Sequence, residues 1–90
     1  MYELRPIYDS RDSFYGKATI IEDGGKKVLQ SYWTKVAYIS KDKIVVNPNA
    51  NLSQTTLRHI KEFLRQEKGL DLVKKEVLAY CDNWETTEEF

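Results

Sequence analysis

Few side chains in this chain could do covalent chemistry. His59 is the single histidine and lies in "TTLRHIKEFL"; Cys81 is the single cysteine and lies in "LAYCDNW". A histidine works as a general base only with a nucleophile or an orienting group in reach. The sequence names no such partner, so an enzyme built around His59 needs one supplied by the fold or by an oligomer. One His and one Cys fall short of a structural zinc site, which takes four ligands. Cys81 falls on the apolar face of an expected helix and reads as packing. "DGGKK" has neither the spacing nor the Lys-Ser/Thr ending of a phosphate loop, and reads as a turn. These residues predict no enzyme, no metal and no cofactor.

The charged residues point to binding instead. Arg58, Lys61, Arg65 and Lys68 recur at i, i+3, i+7 and i+10, a basic stripe that could track phosphates. The same stripe also reads as an ordinary solvated face, because Glu62 follows Arg58 by four residues and can pair with it. The final segment "DNWETTEEF" holds Asp82, Glu85, Glu88 and Glu89 and no base. All 14 basic residues and 10 of the 14 acidic ones therefore lie in residues 1–81. A mildly basic body with an acidic tail fits a tail that shields the body, or one that offers carboxylates to a basic partner. The zero net charge argues against a generic polyanion binder, whose affinity comes from uncompensated Lys and Arg.

The aromatics raise a second question of display. In "RDSFYGKA", Phe14 and Tyr15 would point to opposite faces of a strand. Phe14 then closes one end of the core, while Tyr15 covers an edge or serves as an exposed anchor. In "QSYWTKVAY" only one sheet face can meet helices, so Trp33 or Tyr32 is expected on the other. Exposed there, they could stack bases or anchor a protein partner; packed, they would form a second small cluster under the N-terminal segment.

These side chains need a scaffold. Ninety residues make one domain with a thin core, burying about 60–65 % of the surface that the unfolded chain exposes. The first half reads as strands and the second as helices, an α+β pattern. Residues 1–12 form an extended lead-in, with Pro6 restricting it to a sheet edge. Residues 13–47 read as an antiparallel meander of three or four strands. In it, Lys17 to Glu22 and Lys27 to Trp33 flank the Gly24-Gly25 turn, and Thr34 to Ile39 and Ile44 to Asn47 continue it. Ser53 caps a helix over 53–68 with Leu57, Ile60, Phe63 and Leu64 in one stripe, and Gly69 ends it. Asp71 caps a second helix over 71–84, with Val73, Val77, Tyr80, Cys81 and Trp84 on one face. Residues 85–90 are an acidic tail. The simplest assembly packs both helices on one face of the sheet. The open sheet edges would allow a homodimer. The lone cysteine fits a reducing cytosol, and no apolar run approaches the ~20 residues of a membrane span.

Three segments taken together, "SFYGKA" (Ser13 to Ala18), "SYWTKVA" (Ser31 to Ala37) and "TTLRHIKEFL" (Thr55 to Leu64), resemble small, largely uncharacterised proteins of bacteriophages and other bacterial mobile elements. Those carry similar SFYGKA, SYxTxVA and TTxRHIxEFL segments in the same order. The resemblance spans about residues 9–66 and leaves out the C-terminal helix and the acidic tail. It implies a host bacterial cytoplasm and an accessory role, including inhibition of a host defence nuclease in the manner of anti-CRISPR proteins. The leading expectation is thus a non-enzymatic protein binder. Tyr15 and Trp33 would be its anchors, with Asp82, Glu85, Glu88 and Glu89 as charge contacts and a host protein as partner. The alternative is a nucleic-acid-binding module using Arg58, Lys61, Arg65 and Lys68.

Overall fold

The five-stranded sheet begins with the segment least able to join one. Tyr2–Glu3 (β1) pairs antiparallel with β2, placing Tyr2 opposite Ile20 and Glu3 opposite Thr19. This computed structural model describes residues 2–5, 7, 17–41 and 43–84. Ala18–Asp23 (β2), Lys26–Ser31 (β3), Thr34–Ser40 (β4) and Lys43–Val46 (β5) follow in a simple meander, with spatial order β1-β2-β3-β4-β5. All pairings are antiparallel. The sheet has five strands where three or four are expected, the extra one being β1 from the N-terminal lead-in. The β2–β3 turn is the glycine pair, with Gly24 at φ 56° and Gly25 at φ 86°. Two consecutive positive φ values make the tight hairpin turn whose twist matches the strands, and glycine adopts them without a Cβ clash.

Gln54–Lys68 (α1) forms where its sequence caps dictate. The Ser53 hydroxyl accepts from the Thr56 amide at 3.2 Å, and Gly69 closes the helix at φ 69°. Its stripe of Leu57, Ile60, Phe63 and Leu64 is buried together with Ala18, Ile20, Leu29, Ala37 and Val46 from the sheet. A bulge in the β3–β4 pairing lies at Leu29/Gln30 and lets Val36 join the same core.

The second helix departs from its expected span of 71–84. Lys74–Ala79 (α2) is one and a half turns long, and a 3-10 turn over Tyr80–Asn83 follows it. Its N-cap is Val73, not Asp71: Glu76 Oε1 accepts the Val73 amide at 3.0 Å, while Asp71 pairs with Arg65. Val77 is the one fully buried member of the expected stripe, and Val73 is exposed. Trp84 leaves the helix altogether. It packs with Ile21, Val28, Tyr38 and Val45, a second cluster separate from the α1 core. The strand alternation puts these residues on the opposite sheet face from Ile20, Leu29 and Ala37. Asn83 holds the chain there by donating its side-chain amide to the Ile44 carbonyl of β5 at 2.8 Å. The Lys26 ammonium lies 4.7 Å over the Tyr38 ring on the same cluster.

Phe63 is the largest fully buried side chain among the described residues, and it lies where α1 meets the sheet. Phe63→Ala is expected to cost about 3–5 kcal/mol, read from the urea midpoint at unchanged slope. A loss below about 1 kcal/mol would show that α1 does not carry the core.

Candidate functional site

β3 and β4 are joined by only Tyr32 and Trp33. Tyr and Trp lack turn chemistry, which is why the sequence suggests an uninterrupted strand through Trp33. The turn forms with Tyr32 at φ 56°, the one non-glycine residue with positive φ among the described residues. For a bulky side chain that conformation costs roughly 1–2 kcal/mol. Contacts from distant parts of the chain hold it. The Tyr32 amide donates to the Lys17 carbonyl at 2.6 Å, and the Gln30 side-chain amide donates to the Tyr32 carbonyl at 3.3 Å. The Lys17 ammonium stands 5.9 Å from the Tyr32 ring centre, and the His59 ring lies 6.0 Å away on a tilt. Trp33, at the tip, is 93 % exposed.

Beneath this tip lies a buried polar cluster. Ser31 Oγ and His59 Nδ1 are 2.7 Å apart, one hydrogen bond whichever of the two atoms donates. Ser31 Oγ also lies 3.4 Å from Thr56 Oγ1, which accepts from the Ser53 hydroxyl at 3.2 Å. His59 is fully buried and Ser31 is 2 % exposed. A cleft of about 220 Å³ opens beside them, lined in part by Tyr32, Thr34, Asn51, Ser53 and Thr56, with no charged group among the described residues of its wall.

The Ser31–His59 distance is one that an activated serine requires. Both groups, however, sit below the surface, and the bond spans the joint between the hairpin and α1. The arrangement therefore acts as a tie: it fixes the end of β3 against the helix and so aims Tyr32 and Trp33. In the sequence His59 falls at the edge of the α1 stripe, with no partner near it in the chain to name. The signal lies in the segments "SYWTKVA" and "TTLRHIKEFL", which the fold brings together at this bond.

The other expected site residues are dispersed. Arg58, Lys61 and Arg65 line one cleft of about 160 Å³, but they share it with Glu62 and Asp71. Arg65 Nη1 is 3.4 Å from Asp71 Oδ1. Glu62 is buried and accepts from the Gln66 side chain, which also donates to the Arg5 carbonyl at 2.7 Å. Lys68 belongs to a different groove with Lys41 and Lys43. The basic stripe is thus divided between two places. Asp82 is exposed on the 3-10 turn beside Asn83, whose bond to Ile44 fixes it near the start of β5. That is the far end of β4 from Trp33, about 20 Å along the strand, so the two do not form one patch. Tyr15, Glu85, Glu88 and Glu89 lie outside the described residues, as do Phe14 and Gly16.

Among the described residues no group of three or more His, Cys, Asp or Glu side chains could hold a metal ion, and no helix is long and apolar enough to cross a membrane. Burial pushes the Cys81 thiol above its ordinary range, and the neighbouring Asp82 carboxylate adds to the effect. Less thiolate is then available, and the thiolate is the nucleophile.

Residues 2–79 match the model of a family of unknown function, DUF8033, and the chain belongs to that family. The match runs from β1 through α2. No curated protein and no solved structure matches the chain.

Two outcomes test this geometry. Ser31→Ala removes the hydroxyl partner of a buried imidazole and is expected to cost about 1–3 kcal/mol in chemical unfolding; a change within about 0.5 kcal/mol, the range of ordinary surface substitutions, would contradict the tie. Cys81 is expected to react with iodoacetamide at pH 8 more slowly than free cysteine, and a rate equal to or above that of the free amino acid would refute the burial described.

Proposed function

We propose that this member of the family is a non-enzymatic binding domain that engages a protein partner through the β3–β4 hairpin tip, with Trp33 as its anchor. The observation that carries this reading is the 93 % exposure of Trp33 on a turn held in a strained conformation. Backbone strain at a bulky residue persists only where surrounding contacts over-determine it, and such residues cluster at ligand clamps and binding sites. A tryptophan left in water by a chain with so small a core is costly unless a partner covers it, and tryptophan is the residue most enriched at binding hot spots. Rigid presentation adds to affinity, because the ordering of the tip is complete before contact. Ser31 and His59 support the same reading, since both are used below the surface to hold the tip.

The partner class follows from the resemblance to phage and mobile-element proteins, which favours a protein of the bacterial host cytoplasm, with a defence nuclease as the specific candidate. Asp82 and the acidic residues after it would make a second contact at the other end of the sheet. A partner that used both would have to span the length of β4.

The test is a pull-down from bacterial host lysate with wild type, Trp33→Ala and a variant ending at residue 84. Truncation of a hot-spot tryptophan costs about 2 kcal/mol or more, a roughly thirty-fold weaker complex. The expected result is a specific host protein that is lost with Trp33→Ala while circular dichroism stays unchanged. Recovery of the same protein by Trp33→Ala, or of no protein by wild type, would refute the role of the tip; equal binding by the truncated variant would remove Glu85, Glu88 and Glu89 from the interface.

A further inference from the structure

Two hairpin loops of this molecule, each two residues long, are built from opposite materials. Between β2 and β3 the loop is Gly24-Gly25, with positive φ at both positions, and a Cβ at either would meet nothing within 4 Å. Between β3 and β4, Ser31 pairs with Thr34 and the loop is Tyr32-Trp33. Here φ is 56° at the first position and is not positive at the second. That is the pattern of a type II′ turn, whose first position is ordinarily glycine. If chain reversal were the whole task of this loop, glycine at position 32 would perform it without the clash between a Cβ and the following carbonyl.

The Tyr32 side chain contributes little to the fold. The Lys17 ammonium, 5.9 Å from the ring centre, is at the outer limit of a cation–π contact, and the His59 ring is 6.0 Å away. The residue is 45 % exposed. Its amide donates to the Lys17 carbonyl and its carbonyl accepts from Gln30, bonds that glycine would make equally well. The bonds that hold the tip therefore do not need tyrosine, and the side chain in the strained position leaves nearly half of its surface to solvent.

We infer that Tyr32 is a second contact residue of the tip, kept at a glycine position because its ring meets the partner, and that the partner presents a concave pocket covering two neighbouring aromatic side chains. The inference rests on the reading of the tip as an interface. The apex of a two-residue hairpin is convex, so it enters a pocket; an extended peptide would instead need a groove or a free sheet edge on this protein. Tyrosine brings an apolar ring with a polar end, and the pocket that fits it is apolar at its floor with a hydrogen-bonding group at its rim. The ring also lines the cleft of about 220 Å³ with Thr34, Asn51 and Ser53, so that rim meets hydrogen-bonding side chains of this protein.

Tyr32→Gly and Tyr32→Asn both remove the ring, and asparagine keeps a side chain while tolerating the left-handed conformation. The urea midpoint and the affinity for the host protein captured by wild type are measured for each. The expected result is a midpoint at or above the wild-type value for Tyr32→Gly, with binding at least about tenfold weaker in both variants, as for truncation of an interface aromatic. A midpoint clearly below wild type at unchanged slope for Tyr32→Gly would make the ring a structural element and overturn the inference, and this arm needs no partner. Wild-type affinity in Tyr32→Asn, with loss only in Tyr32→Gly, also overturns it, because the partner would then require a stiff loop and not the ring. Binding lost with Trp33→Ala but kept by both Tyr32 variants refutes the second contact and leaves the Trp33 anchor standing. Capture of no protein by wild type refutes the tip as an interface, and this contact with it.

Discussion

The hydrogen bond between Ser31 and His59 is the constraint on which the arrangement of this protein turns. A buried imidazole is tolerable only with its polar atoms satisfied, and a buried hydroxyl at the end of a strand has the same need. Each answers part of the other's. Their meeting fixes the end of β3 on the first half of α1 across 28 residues of sequence. From that point the rest follows in order. The β3–β4 connection has room for two residues only, Tyr32 must take a left-handed conformation, and Trp33 has no face of the protein to pack on. The local strain at Tyr32 is sustained by long-range contacts, from the Lys17 carbonyl and the ring of His59, and not by the preferences of the turn itself.

That hierarchy explains how much was legible beforehand. The α1 helix was readable because its signals are local: Ser53 at one end, Gly69 at the other, and four apolar residues at helical spacing. The Gly24-Gly25 hairpin was readable for the same reason. The Tyr32–Trp33 turn was not, because nothing in "SYWT" favours a reversal, and the groups that stabilise it are remote in the chain. The C-terminal segment misled differently. Val73, Val77, Tyr80, Cys81 and Trp84 satisfy a helical period, but periodicity does not say which surface a residue will cover. Val73 stays in water, and Trp84 finds the opposite sheet face. Among the site residues, display of Trp33 was open in the sequence between exposure and a second cluster. Trp33 is exposed, and it is Trp84 that packs on a second cluster, formed by Val28, Tyr38 and Val45. His59 was visible as a lone histidine, but its partner needed the fold.

The course of α1 gives the molecule two unlike ends. Its first turns lie against the hydroxyl-lined cleft beneath the β3–β4 tip. Its last residue, Lys68, lies near the β4–β5 turn and Tyr80 at the opposite end. The helix and β4 run the length between, so a ligand at one end does not touch the other. On the opposite sheet face half-buried Trp84 packs on the cluster of Val28, Tyr38 and Val45, next to Asn83, which is fixed along the edge strand β5. The side-chain amide of Asn83 occupies a carbonyl on that edge, and the connection blunts it against pairing with another strand.

The placement of the two tryptophans has a practical corollary. One indole stands in solvent at the hairpin; the other rests among Ile21, Val28, Tyr38 and Val45. They are the only tryptophans in the chain, so its native fluorescence combines two emitters in contrasting surroundings. Quenching by a soluble agent such as acrylamide separates them, and each then reports on its own region without any attached dye: the solvent-facing emitter on occupancy of the tip, the sheltered one on whether the C-terminal strap stays seated.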